Sequence, residues 1–371
     1  MNIAVPEVPT LFSILARHWT VAAPVADIMF DRGESTAAFA LADGTLVLAG
    51  LADGDPPEKR QHISAENGRI TVAPRRRPLP PLTHVKPGEA EIHFVAYGDD
   101  FLAGTPSGQL MRINRQGETE PLACFSDDGI RCLAAAANGG VLVATEKGVR
   151  LLDTDGTLRA LAGMDEPVDC LTPSPTGNQL AAAVNGRILI LPMGREPNPK
   201  LDFAVQGRCR NLAWSRDGHW LAAALGKEGL AVIEITARRL QRIKNYPAPV
   251  DGVSWDGASR RLATNGAFRT IVWPVEELRK SAGIGSIETG KPCFIPATAI
   301  AMSLERPVVA TGYGNGMVAM AQIGSPSEVV VKPAAGGAVT ALRWSASGNE
   351  LAIGTQEGDV ALVAFPSYFF K

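Results

Sequence analysis

The feature that most constrains this chain is that it repeats itself, and self-similarity at a fixed period outranks any single motif. The segment "VTALRWSASGNELAIGTQEGDVALVAF" from Val339 parallels "CRNLAWSRDGHWLAAALGKEGLAVIEI" from Cys209 and "VDGVSWDGASRRLATNGAFRTIVW" from Val250. Five residues into each copy stands an aromatic (Trp344, Trp214, Trp255), and seven later an apolar residue (Leu351, Leu221, Leu262). Weaker copies begin at Val25, Glu91, Ile130, Val168 and Ala297. Eight units of about 40 residues therefore account for nearly all of the chain. Only the interval between the first two units is wide.

Each unit reads as strands. Short apolar runs are separated by turn signals, with room for strands of about 4–8 residues between them. The turn between the second and third runs usually ends in glycine, at Gly44, Gly108, Gly148, Gly186, Gly229, Gly316 and Gly358. Tight hairpins need the positive φ that glycine tolerates. A fourth run follows, as in "TLRAL" from Thr157, "RRLQRI" from Arg238 or "EVVVK" from Glu328. Four strands per unit of this length define the blades of an all-β, single-domain propeller spanning residues 1–371, with eight blades rather than seven.

The motifs "LAWSRDGHWLAAA" at Leu212 and "LRWSASGNELAIGT" at Leu342 resemble the WD40 repeat family, and the resemblance covers Val25 to Phe365. It is degenerate elsewhere. No Gly-His opens a repeat, and Trp273-Pro274 and Phe365-Pro366 stand where Trp-Asp would close one. The resemblance implies blades held mainly by apolar packing. It also implies that an N-terminal strand, placed at Leu11–Arg17 within residues 1–24, completes the last blade so that no sheet edge stays open. Two stretches depart from the repeat, at 51–90 and 276–292. In the first, Asn67-Gly68 signals a hairpin that either supplies the fourth strand of blade 1 or decorates the rim.

One stretch mimics a nucleotide site: Gly285 to Lys291 fits G-x-x-x-x-G-K. A working phosphate loop needs a helix after it and a Ser or Thr next to the lysine. Pro292 takes the hydroxyl position, and Pro296 follows in "KPCFIP", so the reading is a surface loop between the third and fourth strands of a blade.

Aligning the units brings other residues into register. The third position of three successive first strands reads His93, Cys132, Cys170. Imidazole and thiolates ligate zinc, yet cysteine is also a small apolar residue suited to crowded inner strands, and packing is the preferred reading. The second position reads Arg131, Asp169, Arg210, Asp251 on four neighbouring blades. This alternation suits either a ladder of inter-blade ion pairs or a recognition patch at the channel mouth. The segment "PRRRPLPPL" offers Arg75, Arg76 and Arg77 on an extended backbone, as a rim loop or partner arm.

Composition limits the function classes. A formal net charge of -2 provides no global field for nucleic acid or an acidic membrane. No apolar run reaches membrane-spanning length. Five cysteines with no C-x-x-C, and an N-terminus lacking a basic signal-peptide region, point to a reduced, cytoplasmic protein. No H-E-x-x-H or G-x-S-x-G is present. The expectation is a monomeric, non-catalytic scaffold for a protein partner, of the kind the WD40 resemblance implies, with no cofactor. The alternative is a propeller that handles a metal or small molecule in its channel.

Overall fold

A computed structural model describes residues 9–63, 70–88, 91–126, 128–164, 166–193, 200–280 and 283–370. They build eight four-stranded antiparallel sheets. The first strands are Val25–Phe30, His93–Tyr97, Ile130–Ala135, Val168–Pro173, Asn211–Trp214, Val253–Trp255, Ala297–Met302 and Val339–Trp344. Each touches the first strand of the next sheet, and the eighth returns to the first, so the sheets are blades of a closed ring and their first strands line its channel. The blades are numbered here in chain order.

The ring explains the alanine-rich runs. A blade is covered on both faces, so both alternating sets of side chains must be apolar. In blade 4, Leu180, Ala182 and Val184 pack toward blade 3, whereas Ala181 and Ala183 pack with Leu212, Trp214 and Leu221 of blade 5. All of these are buried. The framework tryptophans add a directed bond. Trp214 Nε1 donates to Thr172 O (3.1 Å), Trp255 Nε1 to Ala213 O (3.0 Å) and Trp344 Nε1 to Ala301 O (3.1 Å). Each tryptophan thus fills an inter-blade gap with its ring and satisfies a carbonyl on the preceding blade's first strand.

A second regularity follows six of the eight first strands. Asp31, Ser174, Ser215, Asp256, Ser303 and Ser345 are nearly fully buried at the turn into the second strand. Ser215 Oγ and Ser345 Oγ accept the amides of Trp220 and Glu350, and Asp31 accepts those of Ser35 and Thr36. A short oxygen side chain here replaces water for amides that the turn leaves unpaired.

Ring closure corrects the expected boundaries. Residues Leu11–Leu15 form one helical turn capped by Thr10, and the closing strand is Ala16–Thr20. It pairs with Asp359–Ala364 of blade 8, Ala16 opposite Val363 and Thr20 opposite Asp359. The apolar run "LFSIL" is there to pack: Leu15 is buried in the core of blades 7 and 8, with Leu11, Phe12 and Ile14 against it.

The two insertions also resolve. The strands Gln61–Ile63 and Ile70–Val72 pair with each other as a separate hairpin, while Thr83–Val85 is the fourth strand of blade 1. The Asn67-Gly68 turn lies outside the described residues. In blade 6 a helical turn, Val275–Leu278, follows the third strand, and the fourth strand is Ile287–Thr289. The phosphate-loop mimic therefore contains the outer strand instead of preceding it.

The seam between blades 8 and 1 has an apolar core but is polar at its outer edge, beside the closing strand. Arg17 is buried and donates to Gly50 O and Leu51 O, and Arg60 donates to Ile14 O, so two guanidinium groups fasten the N-terminal segment to the blade 1 insertion. Glu350 stands in the same seam, and its Oε2 is buried with no hydrogen-bond partner among the described residues. Burial outweighs the attraction of Arg17 and pushes its carboxyl up to about 7.

Two outcomes follow. A chain lacking residues 1–20 exposes the edge at Asp359–Ala364 together with the apolar surface under Leu15, so it should unfold at clearly lower temperature and aggregate on heating, as calorimetry and light scattering will show. Glu350 holds its proton more tightly folded than unfolded, so its stabilising contribution is complete below the ordinary glutamate pKa and is lost as pH rises through about 7. Glu350→Gln should therefore flatten the decline in stability across that window and stabilise the ring at pH 8, measured by denaturation at several pH values.

Candidate partner-binding rim

One rim of the ring is built where first strands begin and second strands end. The strand register skips a residue there in blades 1, 3, 4, 7 and 8, between Val25 and Asp27, Ile130 and Cys132, Val168 and Cys170, Ala297 and Ala299, and Val339 and Ala341. Arg131, Asp169, Thr298 and Thr340 are thus bulge residues, and a bulge re-aims its side chain out of the ladder. This is why a polar series can sit beside an apolar core.

The series does not form a continuous ladder. Asp169 Oδ1 accepts from Arg208 Nε at 2.9 Å, a residue outside the series. Arg210 Nε lies 4.0 Å from Asp251 Oδ1, with both side chains more than half exposed (56% and 55%). Arg131 makes no ion pair among the described residues. Its charge acts instead on His93, whose imidazole is held below its ordinary range by enclosure in the channel and by Arg131.

His93, Cys132 and Cys170 do line one channel cavity of about 460 Å³. Their groups are turned elsewhere. The Cys132 thiol donates to Val168 O (3.5 Å) and burial pushes it up to about 12, while Cys170 Sγ lies 3.5 Å from Cys209 O. Among the described residues no three His, Cys, Asp or Glu side chains converge as a metal site requires.

The basic segment lies on the opposite face, after the third strand of blade 1. It is sewn down: Arg75 pairs with Asp53, and Asp55 Oδ2 accepts the amides of Arg76 (2.8 Å) and Arg77 (3.2 Å). Of the three arginines only Arg76 and Arg77 have exposed side chains, and their backbone is clasped to the insertion.

The mimic of a phosphate loop has no free cradle. Its amides serve the protein's own acceptors: Gly285 N donates to Glu277 Oε2, Gly290 N to Ser325 O and Lys291 N to Glu328 Oε2, each at 2.9 Å. Two carboxylates occupy the place a phosphate would need. The chain then runs without helix to Ala297.

That same run carries what sequence reasoning passed over. Phe294 is fully exposed (102%), and Phe268, on the turn between the second and third strands of blade 6, is 44% exposed. Three backbone bonds join the two loops: Cys293 N to Phe268 O (2.8 Å), Ala297 N to Ala267 O (2.8 Å) and Gly266 N to Ala297 O (3.1 Å). Cys293 and Ile295 pack inward against the blade 7 core on either side of Phe294. The ring of Phe294 is thereby held out from a fixed backbone. A signal existed: the unit from Val250 is the one without the usual polar-Gly pair directly before its third strand, and has "NGAFRT" instead.

The fold so built is an eight-bladed β-propeller of the WD40 type. Solved structures that share it include the computationally designed Ika8 protein, with a TM-score of 0.67 at 15% identity over 93% of this chain and 98% of that one. The C-terminal WD40 domain of Sif2 aligns with a TM-score of 0.62 at 13% identity, covering 96% of this chain and 100% of that one. A chain of the mitotic checkpoint complex aligns with a TM-score of 0.57 at 17% identity, covering 74% of this chain and 89% of that one. No family model matches the chain, and no curated protein matches it by sequence. Identities this low establish the fold alone. No helix among the described residues is long and apolar enough to cross a membrane.

Because the Arg210 and Asp251 side chains are more than half exposed, their pair contributes little. Arg210→Glu should shift stability by less than about 1 kcal/mol in chemical denaturation, even though it places like charges together.

Proposed function

We propose that this chain is a non-catalytic scaffold that holds a protein partner on the rim of blades 6 and 7, with Phe268 and Phe294 as the apolar anchor. The observation that carries this reading is the fully exposed Phe294 on a backbone tied to the Phe268 turn. Water around such a ring is released on contact, and a prefixed backbone leaves little ordering cost to the complex. Aromatic anchors of this kind dominate interface energetics, ringed by polar residues that contribute less. Asp251, Arg210, Asp169 and Arg131 continue along the same rim and would form that surround. A WD40 domain and a chain from the mitotic checkpoint complex among the structural neighbours are consistent with an assembly role.

Support for a non-catalytic role comes from how a rim carboxylate is used: Asp169 is occupied by Arg208. The five cysteines are all unpaired, which suits a reducing, cytoplasmic setting.

The test replaces both anchors by Phe268→Ser and Phe294→Ser. A photo-crosslinking phenylalanine at position 294 of the wild type should yield one defined protein adduct from native extract. The double variant should lose at least about thirtyfold in affinity for that protein, as two anchors of about 1 kcal/mol or more each would require, at unchanged melting temperature. Equal binding by both forms would overturn the reading.

A further inference from the structure

Three cysteines stand on successive inner strands at or beside the channel wall, and they are not equivalent. Cys132 and Cys170 line the channel cavity of about 460 Å³ and are half-buried, whereas Cys209 is buried (5%) behind them, between blades 4 and 5. The Cys170 thiol donates to the backbone carbonyl of Cys209 (3.5 Å), so the two cysteines are neighbours across the gap between blades 4 and 5. Cys209 Sγ in turn lies 3.3 Å from Asn211 O. Arg208 and Arg210 flank Cys209 at the channel mouth, both largely exposed. A small solute in the cavity therefore reaches Cys170 beside Arg210, with the buried Cys209 next to it.

We propose that Cys170 is a peroxide-reactive site and that Cys209 is its resolving thiol. The chemistry balances with hydrogen peroxide as the two-electron oxidant. The Cys170 sulfur attacks one peroxide oxygen, an S–O bond forms, the O–O bond breaks and the leaving hydroxide takes up a proton as water. Cys209 sulfur then attacks the sulfenic sulfur of Cys170. An S–S bond forms, the S–O bond breaks and a second water leaves. Two thiols and one peroxide give one disulfide and two waters.

Electrostatics separate the candidates. Contact with Cys209 and the charges of Arg208 and Arg210 favour the Cys170 thiolate, against its burial and the neighbouring Asp169. Burial drives Cys132 up to about 12, and Cys209 is driven up by its bond to Cys170 and by burial. The nucleophile must also meet the peroxide, so attack belongs to Cys170, which lines the cavity, while the buried Cys209 keeps its proton until the sulfenic acid forms. The product would strap blade 4 to blade 5 beneath the rim that carries Arg208 and Arg210.

The experiment uses the reduced full-length protein, stoichiometric hydrogen peroxide, alkylation and non-reducing peptic mapping. The expected result is a Cys170–Cys209 linked peptide with a mass loss of about 2 Da, two hydrogens. Dimedone should label Cys170 in Cys209→Ser at least about tenfold faster than it labels Cys132. Cys170→Ser should leave Cys209 reduced, which tests the pair even if Cys209→Ser fails to fold. Oxidation at Cys124 or Cys132 with Cys170 still reduced overturns the site. A stable wild-type sulfenic acid at Cys170 without disulfide overturns the role of Cys209.

Discussion

The structure depends on one strand pairing, that of Ala16–Thr20 with Asp359–Ala364. Every blade needs both faces covered and each of its strands paired. A ring satisfies both only if its last blade is completed by the first residues of the chain, because an open edge would leave unpaired amides and carbonyls beside apolar sheet faces. The local setting reinforces this pairing: Leu15 packs under it, and Arg17 and Arg60 fasten its N-terminal end to blade 1 and its insertion. His18 Nε2 meets Asp359 Oδ1 at 3.0 Å, and the buried Lys332 reaches the other oxygen of that carboxylate at 3.3 Å. Closure is thus backed by apolar packing, backbone pairing and charge in one place.

Rigidity of the ring decides where function can sit. Inner strands are crowded and small, so the channel holds cysteines, alanines and glycines whose polar reach is short. Variation is confined to turns, and the turns lie on two faces with different character. One face carries the clasp of Asp53, Asp55 and the three arginines, which spends its charge internally. The other presents Phe268 and Phe294 beside a partly paired series of charges.

Much of the fold was legible because the signals were periodic. Trp214, Trp255 and Trp344 recur in one frame, and the position filled by Ser215, Ser345 and Asp256 recurs just after it. The fourth strand of blade 6 was not legible, since Ile287–Thr289 is only three residues long and hides inside a motif with another association. The closing strand was displaced by five residues from expectation because "LFSIL" has the apolar content of a strand. Its Thr10 cap makes it a helical turn. The register of Arg131 and Asp169 was legible as one series at the starts of the first strands, where bulges set both residues. Phe268 and Phe294 are separated by more than twenty residues and have no common motif, so nothing local marked them as neighbours.

By itself the sequence determined the number of blades, the strand content of each and the apolar faces between them, because these follow from a period of two within strands and about forty between units. Tertiary structure decided which polar groups meet. Asp169 chose Arg208 over the arginines aligned with it, two glutamates took the amides of the phosphate-loop mimic, and Cys170 came to rest against Cys209. The physical reason is that ring closure and bulges set these distances to within an ångström, while sequence register sets them only to within a residue.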